Sequence, residues 1–382
     1  MPGAPPQPRR PRIERLWRGD LTLAQRILWT PTVPAAALYC LALGARGLFW
    51  RRMRRRTRPR VVSVGNLTVG GNSKTPFTLY LANRLRATGL RVAIVSRGYT
   101  PRTRPIRALL VSDGVRTLAD PAQVGDEAVM MAKSFAGPIA VARRRIDGIE
   151  LLESTIGPLD VVVLDDGFQH VRLARDLDLL LINADRGIGN RWILPAGPMR
   201  EPAHAAVRAD AVIVIGSAPH AGDAPLTAVP MPPARANQPM MRAVVRPRAL
   251  VSASQAGWVE SPPSMLGRRV LAVSGLADAS GFYAMLHELE ANLVDVLEYP
   301  DHHAYTAGDW HNIVAAARIA DIIVTTEKDL VKLERFPFER DSLYALRLEV
   351  AMAPADEERL LAMAGAAPSC VVESAPRKID QG

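Results

Sequence analysis

Short, almost uninterrupted apolar runs recur along this chain, separated by stretches whose apolar residues return every three or four positions. Val61 to Gly65, Arg91 to Ser96, Pro138 to Ala142, Leu159 to Leu164, Asp178 to Ile182 and Ala211 to Ile215 are such runs. Strands of this kind are buried on both faces, as in a parallel sheet covered by helices. Segments 76–88, 125–136 and 143–156 carry the helical period and supply the crossovers. The pattern predicts a doubly wound α/β domain over residues 59–220.

The pattern then weakens. Ala, Pro and Ser accumulate through APLTAVPMPPARANQP and SPPS, which predicts a connector over 221–265 with at most a short strand at Met241 to Val245. A second alternating series follows: Arg269 to Ser274, a helix over 280–290, Ala291 to Tyr299, a helix over 306–319, Asp321 to Thr326, and Tyr344 to Val350. It predicts a smaller α/β domain over 266–370, with 371–382 as a tail.

Composition changes this picture at one end only. The net charge is +10 over 382 residues, but residues 1–60 hold 14 arginines against Glu14 and Asp20, a local charge of 14 − 2 = +12. The rest carries 34 − 36 = −2. A near-neutral body therefore bears a basic arm over 1–58. Within the arm, ILWTPTVPAAALYCLALGARGLFW precedes RRMRRRTRPR. Pro34 on one side, and Gly44 and Arg46 on the other, confine the apolar stretch to Ala35 through Leu43, short of the ~20 residues of a spanning helix. A helix lying at the interface, with arginines at anionic headgroups, suits the composition better. The basic cluster follows the apolar stretch, the reverse of a signal peptide. It lacks interleaved aromatics, so no nucleic-acid partner is expected. Two distant cysteines, Cys40 and Cys370, give neither a disulfide framework nor a metal spacing.

The candidate chemistry starts where the first strand ends. Thr68-Val69-Gly70-Gly71-Asn72-Ser73-Lys74-Thr75 lies between that strand and the first helix, with Pro76 in the helix's first turn. A strand, a glycine-bearing loop, a Lys-Thr pair and a helix make a phosphate cradle, with backbone N–H groups and a lysine aimed at an anion and Thr75 available to Mg²⁺. The pattern G-x-x-x-x-G-K-S/T is imperfect, because Thr68 and Ser73 occupy its glycine positions. Asp165-Asp166-Gly167-Phe168-Gln169-His170 follows the strongest strand, placing acids beside that loop. Gly125-Asp126-Glu127 opens a helix, where acids also serve the helix dipole; Asp126 is one candidate base for a substrate hydroxyl. Arg97 and the run Arg143 to Arg145 end strands on the ligand-binding edge. In the second series, Asp301-His302-His303 precedes a helix; a proton partner fits it better than a metal site, since no further His or Cys stands nearby. Lys328, in Thr325-Thr326-Glu327-Lys328-Asp329, either meets phosphate or is solvated.

Seven strings in this order resemble the tetraacyldisaccharide 4′-kinase (lipid A 4′-kinase) family: VGNLTVGGNSKTP (64–76), SRGY (96–99), GDEAVM (125–130), DDGFQH (165–170), LPAGPMRE (194–201), PDHHAYT (300–306) and TTEKD (325–329). The resemblance implies a P-loop NTPase-like kinase that moves the γ-phosphoryl of ATP to the 4′-hydroxyl of an acylated disaccharide 1-phosphate. It implies Lys74 and Thr75 at ATP and Mg²⁺, with Glu127, Asp165 and Asp166 around the metal. It further implies Asp126 as base assisted by His302, and Arg97, Arg145, Gln169, His170, Arg200 and Glu201 lining the site. Ser73 departs from the usual glycine, which is tolerable if the loop has an ordinary backbone angle there. An acylated anionic substrate places the enzyme at an anionic membrane surface, expected on the cytoplasmic face of the inner membrane, with no obligate protein partner. The rival classes are a P-loop ATPase or GTPase switch or metallochaperone, and a nucleic-acid binder using the arm. A guanine-reading N/T-K-x-D string is matched only superficially by Thr326-Glu327-Lys328-Asp329.

Overall fold

The computed structural model describes residues 30–70, 73–98, 107–184, 187–217, 231–254, 257–262, 264–338 and 342–365. Residues 1–29 of the arm, Gly71, Asn72, Tyr99, part of the connector and the 371–382 tail lie outside the described residues. Thirteen strands are described: β1 (Arg60–Asn66), β2 (Val92–Ser96), β3 (Leu109–Asp113), β4 (Pro138–Val141), β5 (Val161–Leu164), β6 (Leu177–Asn183), β7 (Ala211–Ser217), β8 (Met240–Ser254), β9 (Gly257–Ser261), β10 (Arg269–Ser274), β11 (Asn292–Glu298), β12 (Ile322–Thr326) and β13 (Leu343–Met352). They form one sheet in the order β11-β10-β12-β13-β8-β7-β6-β1-β5-β2-β4-β3, with β9 paired to β8.

The apolar runs are buried on both faces because alternate residues feed separate cores. Val62, Val64 and Val163 enter one cluster, while Val61, Val162 and Leu164 enter another on the opposite side. Helices Lys74–Ala87, Asp126–Ser134 and Arg145–Thr155 close these faces. Strands β4, β2, β5, β1, β6 and β7 are mutually parallel, and β3 is an antiparallel edge. The doubly wound fold is thus present, with β3 an addition that its short pattern did not announce.

The expected connector is where the chain departs most from its sequence pattern. Instead of a short strand at Met241 to Val245, it carries the 15-residue β8 and its hairpin partner β9. β8 runs parallel to β7 over Met240 to Val245 and antiparallel to β13 from Ala243 to Ser252. Pro247, which cannot donate a ladder hydrogen bond, sits beside the register shift at Arg347/Leu348, where a bulge absorbs it. One core cluster crosses this junction, joining Val62 and Ile94 to Ala243, Val324 and Leu346. The two series of strands therefore share a sheet and a core.

Because β13 is antiparallel to β8, the carboxyl ends of β10 and β12 would face away from those of β1 and β5 in a flat sheet. Strands rotate by roughly 20–25° from neighbour to neighbour. The six steps between β12 and β5 turn the two carboxyl edges back toward each other.

The N-terminal helix runs unbroken from Thr32 to Arg52. Pro34 does not break it, since it occupies the first turn, where a missing N–H costs nothing. Gly44 and Arg46 also lie within it. Ala36 is buried against Ile193 and Ala196, with Cys40 and Leu43 packed alongside. Leu38, Leu41 and Leu48 stay about 70 % exposed.

Gly65 permits a close approach between β1 and the turn that follows β5. A Cβ there would lie 2.6 Å from Phe168 Cβ and 2.7 Å from its backbone nitrogen. Neither the strand nor the crossing turn can move aside without loosening the other. Gly65→Ala is expected to cost about 2–3 kcal/mol in urea unfolding; a loss under about 0.5 kcal/mol would show that the crossing is not tight.

Candidate active site

The phosphate-cradle loop is braced from below before it reaches its lysine. Val69 N–H donates to the Pro198 carbonyl at 2.8 Å, and Arg200 N–H to the Leu67 carbonyl at 2.7 Å. Thr68 pairs with Met199 in an isolated bridge. The amide of Val69 is therefore committed to the protein, which leaves Gly70 and the helix start as the anion-facing part. Ser73 has φ +52°, a left-handed angle. The condition under which serine is tolerated without strain is therefore not met: the pattern prefers glycine because the backbone turns through a region costly for any side chain.

Lys74 Nζ donates to Asn66 Oδ1 at 3.2 Å and lies 3.6 Å from Asp166 Oδ1. Asn66, fully buried at the end of β1, thus orients the lysine, and Gln169 Nε2 in turn donates to the Asn66 carbonyl at 2.8 Å. Sequence reasoning missed Asn66; a buried amide one step before the loop was the available signal.

Asp165 and Asp166 leave β5 beside this lysine with opposite tendencies. Asp165 is fully buried, and its carboxylate accepts from the Thr78 and Ser96 hydroxyls, both at 3.2 Å. Burial first, and then the charges of Glu127 and Asp166, push its pKa up to about 6. Burial also works against ionised Asp166, but Lys74 and Arg200 outweigh it and hold that carboxyl below its usual range. Arg200 Nη1 reaches both Asp166 oxygens, at 3.0 and 2.8 Å.

The opposite wall comes from the second strand series. His302 lines the same cleft, as do Asp301 and Lys328. Lys328 Nζ donates to Asp301 Oδ1 at 2.8 Å, and lies 3.5 Å from His302 Nε2 and 3.8 Å from Glu127 Oε1. Lys332 reaches Asp126 at 3.6 Å and the buried Asp329 at 3.0 Å, and donates to the His303 carbonyl at 3.1 Å. Two lysines of helix Glu327–Leu333 thus stitch the Asp126-Glu127 helix start to the Asp301-His302 turn. Their spacing of four residues, one helical turn, was visible, but the partner acids were 200 residues away. His303 is not the cleft histidine, because its Nε2 lies 3.1 Å from Asp309 Oδ2 and its ring stacks on Tyr299 at 4.8 Å.

The cleft, about 2470 Å³, gathers Thr68, Val69, Gly70, Ser73, Lys74, Thr75, Arg97, Asp126, Glu127, Asp165, Asp166, Arg200 and His302. That exceeds the ~300–1,000 Å³ of an ordinary small-molecule pocket and leaves room for two ligands. Four residues expected to line the site stand behind it. Arg145 is buried and spends its guanidinium on the carbonyls of Ala142 and Asp165, at 3.0 Å each. Gln169 serves Asn66, as above. His170 is pushed down to about 3 by burial and by surrounding arginines, chiefly Arg145, and so stays neutral. Glu201 is ion-paired to Arg208, which donates to the Phe168 carbonyl at 2.7 Å. None of the four lines the cleft; Arg145 directly and Glu201 through Arg208 hold the Asp165–Phe168 turn by its carbonyls. Lys328, beside two acids and a histidine, sits in no pocket resembling a guanine reader.

The donors suit Mg²⁺. Among the described residues no three His, Cys, Asp or Glu side chains form a ready metal cage. Mg²⁺ on a nucleotide needs only one or two carboxylates and a hydroxyl, the remaining positions going to phosphate and water. Asp165, whose proton affinity rises through the neighbouring charges of Glu127 and Asp166, is a carboxylate a cation would relieve. Thr75 supplies the hydroxyl.

Comparison with known proteins points one way. The model of the tetraacyldisaccharide-1-P 4′-kinase family matches residues 28–365. The tetraacyldisaccharide 4′-kinase of Geobacter sulfurreducens is 38 % identical over 339 residues, covering 87 % of this chain and 92 % of that protein. Its counterpart in Pelobacter propionicus is 39 % identical over 350 residues, covering 87 % and 91 %. The crystal structure of LpxK from Aquifex aeolicus in complex with ATP superposes with a TM-score of 0.69 at 29 % identity, over 87 % of this chain and 96 % of that one.

Asp165 makes stability depend on pH with a definite sign. Its folded pKa lies near 6, against 3.8 when unperturbed. The protonated form is favoured in the fold, so its contribution is full below pH 4 and is lost as pH rises through 6. Ionisation costs about 2–3 kcal/mol at neutral pH. Asp165→Asn is therefore expected to unfold at higher urea than the ligand-free parent at pH 7.5, and to show a flatter stability profile between pH 4 and 7. An unchanged profile would contradict the assignment.

Proposed function

We propose a mechanism for this cleft from the premise that the chain belongs to the tetraacyldisaccharide-1-P 4′-kinase family. The protein is an ATP-dependent kinase of lipid A biosynthesis, transferring the γ-phosphoryl of ATP to the 4′-hydroxyl of a tetraacyldisaccharide 1-phosphate. What supports the mechanism is one arrangement: Lys74, Asp165 and Asp166 on one wall of a cleft, with Asp126 and His302 also lining it.

In this reading Lys74, Gly70 and the start of helix Lys74–Ala87 hold the β- and γ-phosphates. Asp126 takes the proton of the 4′-hydroxyl as its oxygen forms a bond to Pγ; the bond from Pγ to the bridging oxygen breaks, and ADP leaves with that electron pair. Lys332, 3.6 Å from Asp126, holds the acceptor carboxylate in place. His302 orients the sugar hydroxyl. Thr75, Asp165 and Glu127 would hold Mg²⁺, which supplies charge neutralisation on the phosphates. Positioning and electrostatics are what this reaction asks of a protein.

The acylated substrate is met at a membrane, and helix Thr32–Arg52 is the element suited to that encounter. Nineteen of its residues, Thr32 to Trp50, are long and apolar enough to cross a bilayer. The helix is nevertheless tied to the body along its length, through Ala36 near one end and Trp50 near the other. Arg172 stacks on the Trp50 ring at 3.3 Å, and Arg46 donates to the Gln169 carbonyl at 3.0 Å. In this reading the helix lies as a flank on the cytoplasmic face of the inner membrane rather than crossing it. The bilayer then receives the exposed face of Leu38, Leu41 and Leu48.

With purified disaccharide 1-phosphate in mixed micelles, phosphate should pass from labelled ATP to the sugar. Lys74→Ala and Asp126→Asn are expected to lower kcat by about 10²–10³-fold while melting like the parent; an inert parent protein would overturn the reading. Replacing Leu38, Leu41 and Leu48 together by Ser should abolish sedimentation with anionic vesicles and leave hydrolysis-independent ATP binding intact. Retained sedimentation would exclude this helix face as the anchor.

A further inference from the structure

One charged group in the cleft has no part in the mechanism above. Lys328 stands across the site from Lys74 on the second strand series, its side chain 11 % exposed. Its two carboxylate partners are more exposed than it is, Asp301 at 40 % and Glu127 at 48 %. A lysine serving only as a surface strut shows the opposite order, with the flexible ammonium outermost and the acids nearer the body. Here the cation is the deep member and its counterions form the rim.

Its neighbours place it beside the chemistry. Glu127 adjoins the candidate base Asp126 and raises the proton affinity of Asp165. His302 Nε2 lies 3.5 Å from Nζ on the other side. The ammonium therefore stands between the acids of the first half and the histidine of the second. Asp301, the nearest partner at 2.8 Å, is the tighter of the two rim carboxylates. Burial works against ionised Asp301, yet the lysine overcomes it and keeps that carboxyl below its ordinary range. Glu127 is the looser partner at 3.8 Å.

Resting on the kinase reading above, we propose that Lys328 is a second phosphoryl-contacting lysine, delivered from the second half to the transferring γ-phosphoryl group. Lys74 is anchored by Asn66 and Asp166 on its own wall. Charge accumulates on the oxygens of the phosphoryl group during transfer, and preorganised cations aimed there act on the transition state more than on bound ATP. Lys328 remains an ammonium throughout, donating hydrogen bonds to γ-oxygens in exchange for the loose Glu127 contact. No proton or electron pair passes through it. Asp301 is then its positioning residue, preserving the charge and direction of Nζ.

The test uses the full-length protein, ATP and the disaccharide 1-phosphate in mixed micelles. Lys328→Met is expected to lower kcat by about 10²-fold or more, with the Kd for ATP from calorimetry within threefold of the parent and an unchanged melting temperature. Lys328→Arg should recover at least a tenth of the parental kcat. Asp301→Asn should lower kcat less than Lys328→Met does. If Lys328→Met does not fold, Lys328→Gln takes its place with the same expectations. A kcat within threefold of the parent for the folded Met or Gln variant would overturn the proposal. So would a loss in Asp301→Asn equal to that in Lys328→Met with a parallel fall in melting temperature, which is the behaviour of a strut. Failure of the parent protein itself to transfer phosphate would instead remove the kinase reading.

Discussion

Strand β8 is hydrogen-bonded on one edge to β7 and on the other to β13, and the active cleft exists because of that double pairing. A strand shared by the two series within one sheet fixes their relative position far more tightly than a linker does, since neither set of ladder bonds can be broken without exposing backbone polar groups. The first half supplies a phosphate cradle and acids, and the second supplies lysines and a histidine. Only a rigid junction lets side chains some 200 residues apart meet at 3–4 Å. The shared core cluster reinforces the junction, because residues of both halves lose water together.

Charge in the cleft is organised by depth. Asp165 is fully buried and resists ionisation, while Asp166, one residue on, is held ionised by Lys74 and Arg200. Adjacent residues with the same side chain thus acquire opposite tendencies from environment alone. A buried carboxylate near other acids destabilises a ligand-free protein at neutral pH, and a cationic ligand reverses the effect. Residues behind the turn hold it against that repulsion, with Arg145 and Arg208 gripping its carbonyls and Glu201 fixing Arg208. The turn that carries the two acids thus rests on the buried arginines Arg145 and Arg208.

The apolar N-terminal helix is joined to the same turn. Its Arg46 donates to the Gln169 carbonyl, and Gln169 donates to the carbonyl of Asn66, whose side chain orients Lys74. Three hydrogen bonds therefore run from the apolar helix to the phosphate-binding lysine.

Much of this was legible from residue order. Periodicity located β2, β5, β6, β10 and β12 to within about two residues, because strands buried on both faces must be apolar almost throughout. Strand-end motifs pointed to Lys74, Asp126, Asp165, Asp166 and His302, and the fold brings these five to one cleft. β8 was not legible: its alternation is interrupted by Pro247 and three arginines, and its length is set by partners on both edges. The left-handed angle at Ser73 was not legible, because a backbone angle leaves no trace in a lone sequence. The roles of Arg145, Gln169, His170 and Glu201 depend on burial and on which carbonyls lie nearby, neither of which residue type reveals. The opening pattern of apolar runs, glycine loop and strand-end acids determined by itself that the chain folds as a phosphate-binding α/β protein, since local sterics and burial dictate those features. That Lys328 and Lys332 face Glu127 and Asp126 was decided only by the tertiary structure, where the twist of a continuous sheet brings together charges that share no local pattern.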